Sequence, residues 1–255
     1  PLTFNSFEQF HEAFKKQAEH LIRKQLWHSR IADRVRPDYH RQPLHSVLMP
    51  GCMENGQDFG VGGLPHYRIW IMKDRGIIPA GDSLTAVEKL VYHEKKLTMA
   101  ELVEAIDGNF AGEMGEKIRQ MCLAAPKYGN DIDEADIMVR DVAKFTGDII
   151  QSEKNIFGLP FVINRNGLAW HFLAGKRMAA LPTGRRAGEP LPDGSLSAMQ
   201  GADHHGPTSL LSSALTANFK QSSIGGILTM SLPASLLRTV GNLEKVLSLT
   251  EGFME

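Results

Sequence analysis

Two cysteines in 255 residues leave no room for a disulfide framework, and their scarcity fits a reducing cytoplasm. No run approaches the roughly 18 apolar residues that a membrane-spanning helix needs. No basic-then-apolar leader opens the chain. The formal net charge of −1 supplies no global field to draw nucleic acid or an anionic membrane. Internal repeats and low-complexity tracts are absent too. What remains is an ordinary soluble composition, 42% apolar and 22% charged, long enough to bury one large core or two smaller ones. The chain begins at Pro1 without an initiator Met and stops at Glu255 inside a helical pattern, so it is expected to be a piece of something longer.

Apolar spacing divides the chain into helices and short strands. Phe7, Phe10, Phe14, Ala18, Leu21 and Ile22 recur at helical intervals behind Asn5 or Ser6 as N-cap, predicting a helix to about Arg30. Residues 37–43 are polar and bounded by prolines, a predicted loop. Residues 46–49 form a short apolar run ending at Pro50, predicted to be a buried strand. Further helices are predicted over 82–94, with Asp82 or Ser83 as cap, and from the capping box at Thr98 and Glu101. Others fall over 112–123, 131–153, 208–218 and 242–254, the last capped by Asn242. Runs 159–164 and 168–172 read as strands joined by the turn pair Asn166-Gly167, and 227–232 as a buried strand. Helices alternating with short apolar strands argue for an α/β fold, with too few strands for a complete barrel or wide sheet.

Two stretches break this pattern, PGCMENGQDFGVGG at 50–63 and LPTGRRAGEPLPDG at 181–194. Glycines there permit positive φ and close approach, and such loops on a rigid scaffold commonly carry chemistry. On the first loop Glu54 can act as a general base or anchor a substrate hydroxyl, with the alternative that it caps loop amides and Cys52 fills apolar space. On the second, Arg185 and Arg186 can fork an anion, but a mutual staple with Glu189 is the expected arrangement. The spacing is not that of a P-loop. Asp203-His204-His205 lacks any metal-ligand spacing, so no metal is expected. Gly206-Pro207-Thr208 reads as a helix start whose free amides can hold an anion or a carbonyl. His171, placed mid-strand in LAWHF, either faces a barrel interior or is a satisfied core histidine. Periodicity does not choose.

The runs CMENGQDFGVGG, SLTAVEKLVYHEKKLTMAEL, APKYGND, HFLAGKRMAALPTGRRAGEPLPDG and QGADHHGPTSLLSS follow one another in the order found in glycyl radical enzymes. They resemble the pyruvate formate-lyase-like branch, with its glycerol and hydroxyproline dehydratases, choline and isethionate lyases and arylacetate decarboxylases. The resemblance covers nearly the whole chain. It implies a part of the ten-stranded α/β barrel of that family, helix-rich, with residues 1–255 as a single piece of the barrel domain. It further implies radical cleavage of a C–C, C–O, C–N or C–S bond in a small organic substrate. A homodimer in the cytoplasm is implied, activated by a separate radical S-adenosylmethionine enzyme, with no nucleic-acid or membrane partner.

Cys52 falls in a segment resembling the family's later C-I-E-x-G-x-D-x-x-x-G-G run rather than its thiyl-cysteine loop, so it is not assigned as the radical cysteine. The R-V-x-G-Y glycyl motif does not occur in the chain. The fragment is therefore expected to bind no cofactor and to be inert alone, the glycyl radical lying outside it. Under the resemblance Glu54 is the catalytic candidate, and Cys52, His171 and Trp170 are substrate-binding candidates. Their loop and strand are expected to line a closed, oxygen-shielded cavity. Departures from the family pattern stand at Trp170, at Leu173-Ala174 and at Pro65-His66-Tyr67-Arg68. The alternative is a non-catalytic scaffold or binding subunit derived from the same fold.

Overall fold

A computed structural model describes residues 4–64, 71–167, 169–232, 234 and 238–254. The segment Pro65-His66-Tyr67-Arg68 lies outside them. Helix α1 (Phe7–Tyr39) begins where expected, its Ser6 hydroxyl accepting from the Gln9 amide. It runs well past Arg30 because Ile31, Ala32 and Val35 tolerate the helix and Pro37 falls only in its last turn. The predicted loop shrinks accordingly. Residues 43–48 form helix α2 (Pro43–Leu48) rather than a buried strand. Pro43 is preorganised for a first helical position, and Leu44, Val47 and Leu48 stay exposed. A short apolar run does not by itself tell helix from strand.

Beyond the glycine loop, helix α4 (Ile77–Val87) starts five residues before Asp82, behind Gly76 at φ +86°. Asp82 is therefore no cap. It is fully buried in mid-helix, where its Oδ1 accepts from the Tyr128 amide at 2.9 Å. A wider helical turn continues α4 over Glu88–His93. Helices α5 (Met99–Asp107), with its complete Thr98–Glu101 capping box, α6 (Gly112–Ala124) and α7 (Asp133–Ser152) follow their predicted periodicity. Helix α4 packs on α7 so closely that a Cβ on Gly81 would meet Val139 Cγ2 at 2.5 Å. Ile77, Ile78, Leu84, Tyr128 and Val139 form the main core beneath, joined by Leu210. Helix α9 (Pro207–Ala217) delivers Leu210.

Strand β1 (Ile71–Lys73) pairs in parallel with β2 (Val162–Asn164), Met72 opposite Ile163. Both residues join Leu26, Ile150 and Phe161 in a smaller core. The expected hairpin through Asn166-Gly167 does not form, because Arg165 instead bridges in parallel to Gly226. The chain then enters helix α8 (Trp170–Gly175), so the strand expected over 168–172 is helical from Trp170; Leu168 lies outside the described residues. Nothing in AWHFLAG enforces a period of two, and its alanines and leucine suit a helix. Residues 227–232 form no strand of the sheet; Ile227 makes an isolated parallel bridge to Ser195, and the segment remains partly exposed, not buried. Helix α10 (Val240–Met254) starts two residues early; Asn242 is not its cap but donates its amide to the Thr239 hydroxyl. The result is a helix-rich, partial α/β barrel. Among the described residues no helix is long and apolar enough to cross a membrane.

One ion pair links these parts. Arg165, fully buried, donates from Nη2 and Nε to Asp74 Oδ2 at 2.8 and 3.2 Å, from Nη2 to the Ala143 carbonyl and from Nη1 to the Ser222 hydroxyl. Thr146 Oγ1 also donates to Asp74, at 2.9 Å. Asp74→Ala would leave that guanidinium charged and unpaired in the interior. The expected loss is about 3–5 kcal/mol of unfolding free energy, read by chemical denaturation.

Two further acids lie in the main core. Burial pushes the Asp82 carboxyl up to about 7, against the pull of Lys127, and that of Asp136 to about 6, against the hydroxyl donated by Ser213. Both values exceed the roughly 3.9 of an unfolded aspartate, so the fold takes up protons that the unfolded chain does not. Their contribution to stability is complete below about pH 4 and is lost as pH rises through 6 to 7. The melting temperature of Asp82→Asn should therefore gain on the wild type between pH 5 and pH 8, read by calorimetry. A constant difference across that window would contradict the assignment.

Candidate functional site

The glycine loop has a definite structure. Helix α3 (Cys52–Asn55) is a single turn between Gly51 and Gly56, at φ +88° and +62°, and a second tight turn spans Phe59–Val61. Asp58 organises both. It accepts from the Gln42 amide and the Ser46 hydroxyl through Oδ2, at 2.7 and 2.9 Å, and from the Gly60 amide through Oδ1 at 2.9 Å. Burial alone would raise the Asp58 carboxyl, but these donors hold it below the usual carboxylate range. A Cβ on Gly63 would sit 2.3 Å from the Gln57 carbonyl and 3.0 Å from Cys52 Sγ, so only glycine fits. Cys52 is buried in this packing, and burial raises its thiol, with the Asp58 and Glu54 carboxylates adding to the effect. That favours the neutral thiol over a thiolate nucleophile.

Glu54 stands differently. Its side chain is exposed in this chain, and no contact among the described residues joins it to His171. The loop's ordered core is made by Asp58, Asn55 and Cys52, with Asn55 Nδ2 donating to the Gly63 carbonyl.

His171 and Trp170 do share a cavity, one of about 110 Å³ between the start of α4 and helix α8. Pro79, Ala174, Met178, Leu191 and Pro192 make its wall apolar. His171 is held by its own carbonyl, which accepts from the Leu191 amide. Its Nδ1 lies 3.2 Å from Asp193 Oδ1, yet off the hydrogen-bonding direction, so among the described residues this buried ring nitrogen makes no hydrogen bond. Two polar residues on this wall escape a reading by sequence, Arg75 and Ser195. Arg75 Nε donates to the Asn166 carbonyl at 3.2 Å, and its guanidinium lies 5.1 Å from the Trp170 ring centroid. Burial draws Arg75 below the ordinary arginine range, with no carboxylate opposing it. The only available signal was its place directly before Gly76, the residue that starts α4.

Other candidates prove structural. Arg185 and Glu189 form no side-chain staple. Arg185 is buried and gathers the carbonyls of Gly175, Ala179 and Glu189, while the Glu189 carboxylate accepts from the Arg186 amide at 2.9 Å. Arg186 instead reaches Glu116 Oε2 at 2.5 Å. His204 and His205 donate their amides to Asn130 Oδ1, and His205 Nδ1 lies 2.8 Å from the Asn130 carbonyl. Among the described residues no group of three or more His, Cys, Asp or Glu is placed to hold a metal ion.

With this geometry in hand, known proteins supply the context. The chain is 34% identical over 226 residues to the isethionate sulfite-lyase of Oleidesulfovibrio alaskensis, which covers 88% of this chain but only 26% of the relative. Its fold matches the hydroxyproline dehydratase of Clostridioides difficile with bound trans-4-hydroxy-L-proline, with a TM-score of 0.90 at 28% identity over 100% of this chain and 32% of the other. It also matches the glycerol-bound B12-independent glycerol dehydratase of Clostridium butyricum, with a TM-score of 0.88 at 27% identity over 99% of this chain and 32% of the other. The chain thus spans about a quarter to a third of the proteins it resembles. A family model described as pyruvate formate lyase-like matches residues 1–166. On that match, and on a shared fold that extends across the whole chain, the protein belongs to the pyruvate formate lyase-like family.

Proposed function

We propose that this chain is the later barrel portion of a glycyl radical enzyme that cleaves a C–C, C–O, C–N or C–S bond in a small organic substrate, as a lyase, dehydratase or decarboxylase. The observation that carries the reading is the fold shared along the full chain with a dehydratase holding its substrate. Residues 1–255 form one piece of the barrel domain in this reading, without the thiyl-cysteine loop or the glycyl domain. The complete enzyme works in the cytoplasm as a homodimer. A radical S-adenosylmethionine enzyme activates it, and neither nucleic acid nor membrane takes part.

When present, the glycyl radical supplies hydrogen-atom abstraction by way of a cysteine elsewhere in the enzyme. The small, largely apolar recess at His171 fits such chemistry, because closure by the rest of the barrel would keep water from a bound organic molecule there. Trp170 and the apolar wall bind and orient the substrate there. His171 Nδ1, which makes no hydrogen bond to a described residue, offers one polar contact beside Asp193. Cys52 contributes packing behind the glycine loop, as a neutral thiol at the substrate side of the barrel. Glu54, on a turn fixed by Asp58, takes or relays a proton of the substrate or anchors its hydroxyl. Its exposure in this chain leaves the carboxylate free for groups contributed by the rest of the barrel.

Glu54→Gln in the full-length enzyme should lower turnover by roughly 100-fold or more, with the glycyl radical signal in electron paramagnetic resonance unchanged; wild-type turnover would remove Glu54 from the mechanism. Cys52→Ala should be far milder in the same assay. Complete loss of activity in a folded Cys52→Ala protein would show that this cysteine has a radical role after all.

A further inference from the structure

We infer that the cavity between α4 and α8 is a binding site for a small organic acid, with the Arg75 guanidinium as counter-charge to its carboxylate and the Ser195 hydroxyl as a second donor. Four observations converge on an anion. Arg75 lies at the cavity wall, half-buried, and its bonds to described residues go to a neutral carbonyl and an aromatic face, so its charge is unmatched. Such a group favours a carboxylate strongly in a partly desolvated recess. Ser195 lines the same cavity at 9% exposure, and no described residue bonds its hydroxyl. It is held at φ +71°, a conformation uncommon outside glycine that collects at ligand sites.

Gly76 and Pro79 bring the first turn of α4 to the wall. Pro79 carries no N–H, so what this turn contributes is the helix dipole, which favours negative charge there. On the opposite side Met178, Leu191 and Ala174 offer nothing polar to the ligand's body.

Size narrows the ligand. A cavity of about 150 Å³ takes a benzene molecule, so about 110 Å³ takes a body of roughly three or four carbons. Trp170 would lie along this body while its ring also faces the guanidinium. Identifying the acid as the substrate or product of the enzyme rests on the function proposed above; the binding itself does not.

The test uses the full-length protein without activation, so that no radical chemistry enters the readout. Propionate and, separately, the neutral isostere propanamide are titrated by calorimetry into wild type and Arg75→Gln. Propionate should bind the wild type roughly tenfold or more tightly than propanamide, and the preference should vanish in Arg75→Gln. Equal affinities, no propionate binding, or an unchanged preference in the variant would overturn the site. In the wild type, propionate should also slow phenylglyoxal modification of Arg75, followed by peptide mass spectrometry. That second readout stands even where Arg75→Gln fails to fold, and an unaltered rate overturns the proposal. Propionate binding by a full-length protein that cannot be activated would sink the radical-enzyme reading and leave the acid site standing.

Discussion

The Arg165–Asp74 pair is the constraint on which the arrangement of this chain depends. A guanidinium with no solvent exposure must have its donors satisfied, and here Asp74, Ala143 and Ser222 do so. Those partners come from the segment after β1, from helix α7 and from the loop ahead of residue 226. One side chain therefore fixes the ends of both strands against the helix behind them. Isolated, such a pair contributes little net stability, since desolvation offsets the Coulomb attraction. Its value lies in geometry. Any arrangement that separates these segments strands a charge in the interior.

The cavity inherits that geometry directly. Arg75 follows Asp74, and Asn166, whose carbonyl accepts from Arg75, follows Arg165. The two walls of the recess are thus anchored one residue away from the ion pair, and α8 begins only five residues beyond Arg165. Spending the Asp74 carboxylate on Arg165 is also what leaves the Arg75 charge without an acid. A similar division holds in the glycine loop, where Asp58 is consumed by amides and a hydroxyl while Glu54 faces outward. In both places one acid is spent on structure and a neighbouring charged group is left for other work. The main core shows the opposite economy of charge. Asp82 and Asp136 each retain one buried oxygen that no described residue hydrogen-bonds, and both shift toward the neutral form.

Much of this was legible in the sequence wherever one periodicity dominated. Helices α5, α6, α7 and α9 fall within a few residues of their predicted limits, because caps and apolar stripes act locally. Short apolar runs were another matter. Residues 46–49 and 170–172 carry no period long enough to separate helix from strand, and 46–48 and 170–172 proved helical. Asp82 looked like a cap because aspartate favours that position, but Gly76 begins the helix earlier and Tyr128 offers Asp82 an amide in the interior. Of the cavity wall, His171 and Trp170 stand in a motif legible in the sequence; Arg75 and Ser195 do not, since nothing near either in the sequence reveals that they line the same wall.

By itself the sequence determined the ordered motifs that mark the family, the helical periodicities and the need for glycine around Cys52 and Glu54, all of which depend on neighbours a few residues away. Only the tertiary structure decided which charges are matched and which are left over. Asp74 chooses Arg165 across 91 positions of chain, and a pairing over that distance follows from how β1, β2 and α7 pack. It cannot be read from the residues beside either partner.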